Sequence, residues 1–333
     1  MRDGPQARPF FMFYGSARIK KFSKRGGVIL SEGLDSNARE NLGMLLEALK
    51  ACSPEILVRN ALRKAEARKK GYGFLYESAR VFVLGFGKAS IPMTRAAGDS
   101  LGWKRTEGLV VTRKDAERSV LPESVAVMRS GHPLPDQDSL LAGKIALEKL
   151  ATLGKEVPIL FLASGGGSSL FESLQEGLSL EDLRKLTEAL LKSGASIVEI
   201  NKVRVPFSRI KGGKLLEAAG NRDSLTLVLS DVVGDDPRSV ASGPTIETCG
   251  NTALEALKIL EKYRLWGTLP EGMKTVLEKG ANKPGTTTRT GRPRIEVVGH
   301  NRLLCRILVG ELAERGYNTL FLGSTITGEA RET

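Results

Sequence analysis

The stretch that most restricts the fold runs from Val157 to Phe171. Val157-Pro158-Ile159-Leu160-Phe161-Leu162 is a short, continuous apolar run, which predicts a strand buried on both faces. It breaks off at Ser164-Gly165-Gly166-Gly167-Ser168-Ser169. Three consecutive glycines let the backbone take positive φ and approach a ligand closely, and the serines add hydroxyl donors. At the carboxyl end of a parallel strand such a loop can cradle an anion. The same residues also suit a flexible turn whose serines cap the next helix. On this stretch alone both readings stand.

The rest of the chain repeats the strand-loop-helix pattern. Strands are predicted at Val81 to Leu84, Leu109 to Thr112, Val125 to Met128, Pro158 to Ala163 and Leu225 to Leu229. Between and around them lie helical segments. Ser53-Pro54-Glu55 places an N-cap ahead of a proline at the first helical position, and Ser179-Leu180-Glu181-Asp182 opens a helix whose Leu183, Leu186 and Leu190 share one face. Further helices are expected at Asp138 to Leu150, Thr252 to Tyr263 and Glu271 to Lys279. Alternating strands and helices with short Gly/Pro loops predict an α/β fold: a doubly wound, Rossmann-like parallel sheet with helices on both faces. The 333 residues suggest two domains. We place a Rossmann-like domain at 37–280 and a Gly-, Pro-, Thr-rich linker at 281–294. The start of a second, truncated α/β domain follows at 295–333, with a strand, a helix and a strand at Ile295 to Val298, Asn301 to Arg315 and Thr319 to Leu322.

Charge narrows the function classes. The net charge of +12 is concentrated at the start, where residues 1–30 hold seven Lys/Arg against one acid. Residues 1–36 therefore read as a basic, disordered extension without a secretory signal. No stretch interleaves aromatics with cations as a base-stacking platform would, which argues against nucleic acid. No apolar run is long enough to cross a bilayer. Cys52, Cys249 and Cys305 form no CxxC pair, which fits a reducing cytoplasm and indicates neither a disulfide framework nor a zinc site.

Four constellations carry chemistry. Gly85-Phe86-Gly87-Lys88-Ala89-Ser90 ends a strand and opens a helix, where Lys88 can meet a phosphate; the stretch matches neither a P-loop nor a complete dinucleotide fingerprint, and a solvent-exposed lysine at a helix start is the plainer reading of it alone. Asn201-Lys202-Val203-Arg204 and Lys211-Gly212-Gly213-Lys214 gather cations around a glycine pair that can offer N–H groups to an anion; a solvated basic face is the plainer alternative. Ser230-Asp231, followed by Asp235 and Asp236, puts carboxylates at a strand end, which suits Mg²⁺ shared with substrate phosphates; a turn before Pro237 is the alternative for Asp235 and the preferred reading of Asp236. Gly131-His132-Pro133-Leu134-Pro135-Asp136 is a rigid loop whose histidine is either substrate-facing or structural. Together these are the parts of a phosphoryl-transfer site.

The motifs SGGGSS at Ser164, NKVR and IKGGKL from Asn201 to Leu215, LSDVVGDDP at Leu229 and ASGPT at Ala241 resemble the glycerate 2-kinases of the MOFRL type, as do GFGKAS, GHPLPD and IEVVGHNRLL. The resemblance implies transfer of the γ-phosphoryl of ATP to the 2-hydroxyl of D-glycerate with a divalent metal. It makes Lys88 similar to the family's catalytic lysine and Asp231 part of its strand-end acidic motif. It also implies a C-terminal MOFRL domain largely beyond Thr333, so that the functional residues of that half are not assigned here and both an active and an inactive chain stay open. A homo-oligomer or a separate C-terminal half is the partner expected. Where many members of that family read VRKHLS, this chain has Val203-Arg204-Val205-Pro206-Phe207-Ser208, without that Lys and His.

The expected site therefore puts ATP phosphates on Ser164, Gly165, Gly166, Gly167, Ser168 and Ser169, and Mg²⁺ on Asp231 and Asp235. Lys88 and Arg204 neutralise the transferred group. Asn201, Lys202, Lys211, Gly212 and Gly213 hold the remaining ligand groups, among them the glycerate carboxylate. Two other readings compete. One is an NAD(P)H-dependent hydroxypyruvate reductase using Arg113 and Lys114 at a strand end. The other is a non-enzymatic, basic binding remnant.

Overall fold

Along the central strands, alternate residues bury against different helices, which is what a sheet covered on both sides requires. The computed structural model describes residues 36–67, 69–116, 121–248, 250–282 and 293–326. The strands are β1 (Val81–Phe86), β2 (Thr106–Arg113), β3 (Val125–Ser130), β4 (Ile159–Ser164), β5 (Ser224–Leu229) and β6 (Pro293–Gly299). Among the described residues they form one parallel sheet in the order β3-β2-β1-β4-β5-β6. This is the doubly wound order, with its reversal between β1 and β4.

On one face Phe82, Leu84, Phe86 and Phe161 pack with Ala142, Ala146 and Leu150 of helix Gln137–Thr152 and with Leu215 and Leu216 of helix Lys214–Ala219. On the other, Val81, Val83, Leu160, Leu162, Leu225 and Leu227 meet Val58 and Leu62 of helix Pro54–Ala67 and Met93, Ala96 and Ala97 of helix Ser90–Leu101. A separate apolar cluster joins helices Leu180–Lys192, Ile197–Arg204, Thr252–Lys262 and Glu271–Ala281 through Leu186, Leu190, Val203, Ala256, Leu260 and Leu277. The expected face of Leu183, Leu186 and Leu190 is buried, and Ser179 caps that helix through the backbone N–H of Asp182.

The expected second domain is corrected at its first strand. β6 pairs with β5 from Ser224↔Pro293 to Leu229↔Gly299 and so extends the main sheet. The physical reason is that a lone strand leaves its edge unpaired, while β5 offers a parallel edge to complete. Thr319 to Leu322 forms no strand, and Leu320 and Leu322 are exposed. The compact units are accordingly 54–300, which holds the whole sheet, and 36–53 with 301–326. Within the smaller unit, Arg315 of the segment after helix Asn301–Glu314 lies 3.6 Å from Glu40 of helix Ser36–Ala51. Most of the basic extension (1–35) and of the linker (283–292) falls outside the described residues. No helix among the described residues is long and apolar enough to cross a membrane.

Asp136 caps helix Gln137–Thr152 by accepting from the Ser139 N–H at 3.0 Å, and Lys114 lies 2.7 Å from its carboxylate. Burial pushes its pKa up, but the Lys114 ammonium and the N–H groups of Gly131 and Ser139 outweigh that and hold it at about 2, below the ordinary 3.8. The ionised form is therefore favoured in the folded state. Its contribution is present above about 3.8 and is lost as pH falls through about 2. Asp136→Ala is expected to cost about 1 kcal/mol of stability at neutral pH. In urea unfolding the difference from wild type should shrink as the solution is acidified toward about pH 3. A difference that stayed constant on acidification would show that the ionised carboxylate has no part in it.

Candidate active site

The strand order decides which loops meet. The loops after β1 and β4 flank the reversal, and that after β5 comes next along the same carboxyl edge. Gly87-Lys88 and Ser164 to Ser169 are therefore neighbours, and they are bonded to each other. The Lys88 N–H donates to Gly165 O at 2.9 Å, and the Ala89 N–H donates to Ser164 Oγ at 3.1 Å. Gly87, at φ +118°, passes so close to Ser164 that a Cβ there would collide with it. Gly166 takes the left-handed conformation, φ +83°, and leads into the short helix Gly167–Leu170.

Side chains converge on this loop from three sides. Lys88 Nζ lies 3.5 Å from Asp231 Oδ2, with 42% of the lysine and 52% of the aspartate side chain exposed. A Cβ on Gly165 would overlap the Asp231 carboxylate, so the glycine is what admits it. A Cβ on Gly166 would stand 3.0 Å from Lys88 Cε and 3.1 Å from His132 Nε2. Burial and the Lys88 ammonium lower the pKa of His132, which leaves its imidazole neutral at neutral pH. Lys88, Asp231, His132 and the glycine loop thus form one solvent-facing crevice. The sequence left His132 with two readings; its place in the GHPLPD loop was the available signal.

The second cluster is placed differently from the expectation. Lys211 is fully buried, its Nζ 3.2 Å from Glu172 Oε2 and donating to Phe171 O at 3.1 Å. Arg204 is also buried, 3.3 Å from Glu172 and donating to Ser168 O at 2.8 Å. Glu172 accepts from Ser208 Oγ at 2.6 Å as well. Neither cation can face a ligand, because one buried carboxylate holds both behind the loop. Burial lowers the pKa of Lys211 to about 8 against the pull of Glu172. Gly212 and Gly213 are corrected likewise: their N–H groups donate to Ser242 O (3.0 Å) and Gly243 O (2.8 Å).

Those bonds hold a strained segment. Ala241 (φ 53°) and Ser242 (φ 64°) are both left-handed, at a cost of order 1–3 kcal/mol each. Ser242 Oγ is 2.9 Å from Ser168 Oγ, so the strained turn and the glycine loop are joined. Glu172, which organises this support, carries no motif and escaped the sequence reading.

Asn201 and Lys202 face elsewhere, onto a cavity of about 330 Å³ whose walls include Ser242. Lys202 pairs with Glu255 at 3.5 Å. Asp235 also departs from its expected place: its carboxylate lies 3.4 Å from His300 Nδ1. Among the described residues no group of three or more His, Cys, Asp or Glu is placed to hold a metal. What the crevice offers is one accessible carboxylate, Asp231. That fits Mg²⁺, which takes one or two protein carboxylates and fills its shell with water and phosphate oxygens. Arg113 and Lys114, the basis of the reductase reading, are committed to Asp115 (3.0 Å) and to Asp136 and Asp138 (2.7 Å each).

Fold and crevice together define a doubly wound α/β protein with a glycine-lined, charge-bearing cleft at its topological switch point. A family profile described as "Domain of unknown function (DUF4147)" matches residues 41–278, and the chain belongs to that family. It is 35% identical over 295 residues to a protein named glycerate 2-kinase from Pyrococcus horikoshii, covering 87% of this chain and 66% of that one. The crystal structure of glycerate kinase from Thermotoga maritima superposes with a TM-score of 0.73 at 33% identity, over 85% of this chain and 64% of that one. An Agrobacterium vitis protein with a provisional hydroxypyruvate reductase name is 35% identical, over 90% of this chain and 64% of its own. The chain thus spans 64 to 66% of the length of these relatives.

Proposed function

We propose that this chain carries the catalytic crevice of a glycerate 2-kinase, moving the γ-phosphoryl of ATP to the 2-hydroxyl of D-glycerate to give 2-phosphoglycerate. The observation that carries this reading is the meeting of Lys88, Asp231 and the Gly165-Gly166-Gly167 loop at the sheet's switch point, with Lys88 3.5 Å from Asp231. The names borne by its relatives support the substrate.

In this reading the glycine loop takes phosphate oxygens, because only glycine lets the backbone approach so closely. Lys88 supplies a compact positive charge where negative charge spreads over the transferred group. Asp231 would hold Mg²⁺, whose charge would offset that of the phosphates. His132, neutral at the same edge, can hydrogen-bond a substrate hydroxyl without adding charge. Arg204 and Lys211 act from behind by fixing the carbonyls of Ser168 and Phe171 through Glu172.

The deciding experiment supplies the chain with ATP, Mg²⁺ and D-glycerate in one arm and with NADPH and hydroxypyruvate in the other. The expected product is 2-phosphoglycerate in the first arm. Oxidation of NADPH with no phosphorylated product would replace the kinase reading by the reductase one. If neither arm turned over while DNA bound with a steep salt dependence, the non-enzymatic reading would take its place.

A further inference from the structure

The cavity beside the glycine loop has a composition that selects its occupant. It encloses about 330 Å³, at the lower end of small-ligand sites. Its cations are already neutralised: Lys202 pairs with Glu255 at 3.5 Å, and Arg238 Nε donates to Asp236 Oδ1 at 3.0 Å. The paired carboxylates, Glu255 and Asp236, line the same cavity, so it presents no net positive charge to an anionic group. Its apolar lining is Val205, Val232 and, at the start of helix Ile197–Arg204, Ile197 and Val198, which have 68% and 49% of their surface open to solvent. Asn201 stands one turn further along the same helix. Its amide offers a donor and an acceptor side by side, the pair that suits the edge of an adenine ring. Ser242 also lines the cavity, and its hydroxyl touches Ser168 of the glycine loop.

We propose that this cavity receives the uncharged nucleoside half of the nucleotide, with the base over Ile197 and Val198 and against Asn201, and with the phosphates leading past Ser242 to the glycine loop. This rests on the nucleotide-dependent reading above and adds the direction in which the nucleotide lies. The small acid is assigned to the opposite, Lys88 and His132 side of the crevice. A three-carbon acid would fill little of the cavity and would find no uncommitted cation there for its carboxylate.

Calorimetric titration of the full chain with ADP, adenosine and inorganic pyrophosphate tests this. Val198→Trp fills the cavity from an exposed position, and Asn201→Ala removes the amide without adding bulk, so a folding defect in one is separable from the effect on binding. Both variants are expected to weaken ADP and adenosine at least about tenfold, or about 1.4 kcal/mol, and to leave pyrophosphate unchanged. Equal ADP affinity in wild type and both variants would overturn the assignment while leaving the kinase reading intact. Parallel loss of pyrophosphate would also overturn it, by placing phosphate rather than base in the cavity. A wild-type chain that binds no ADP would remove the nucleotide-dependent reading itself, and this inference with it.

Discussion

Lys88→Met is expected to lower the turnover of D-glycerate and ATP by about 10² to 10³, since removing one preorganised charge or donor from a transition-state site has effects of that size. The loss should fall mainly on kcat, because the charge it stabilises develops as the phosphoryl group moves, whereas ground-state phosphate retains the backbone of the glycine loop. Folding should be unaffected. The side chain is 42% exposed, and its ion pair with Asp231, itself half exposed, is of the kind that contributes little to stability. Steady-state kinetics together with thermal unfolding check this. A change confined to KM, or none at all, would mean that Lys88 does not touch the reacting group, and the crevice would lose its central residue.

Glu172→Gln has the opposite signature, a large stability loss at a residue that touches no ligand. Its carboxylate holds Arg204, Lys211 and the Ser208 hydroxyl, and both cations are buried. Removing the charge leaves two cations in a low-dielectric interior without their counter-ion, for which about 3–5 kcal/mol is the usual cost. Denaturant unfolding measures it. The triple replacement Glu172→Met, Arg204→Met, Lys211→Met should recover much of that loss, because apolar side chains of similar volume need no partner. It should not restore full turnover, since Ser168 O and Phe171 O lose the donors that hold the loop. A loss below about 1 kcal/mol for Glu172→Gln would mean that water already reaches the cluster.

These two residues show where sequence reasoning reaches and where it stops. Lys88 follows an apolar strand and precedes a helix, so its position at a strand tip could be read locally. Lys211 also stands beside glycines and looks equally available, yet it is sealed against Glu172, and no local pattern reports a contact that distant in the chain. Gly212 and Gly213 take a left-handed backbone, φ 63° and 88°, but their N–H groups serve the carbonyls of Ser242 and Gly243 instead of a ligand. Asp235 likewise matched a metal-binding pattern while its carboxylate turns to His300.

The amino-acid order by itself determined the elements: apolar runs of strand length, capped helices between them, and glycine-rich or charged residues at the strand ends. These depend on periodicity and backbone preference within a few residues, and each can be read where it stands. Only the tertiary structure decided that β4 lies beside β1, that β6 closes against β5, and which cations keep contact with solvent. Those outcomes come from edges and faces finding partners far along the chain, where burial and charge pairing choose among arrangements that local preference leaves equivalent.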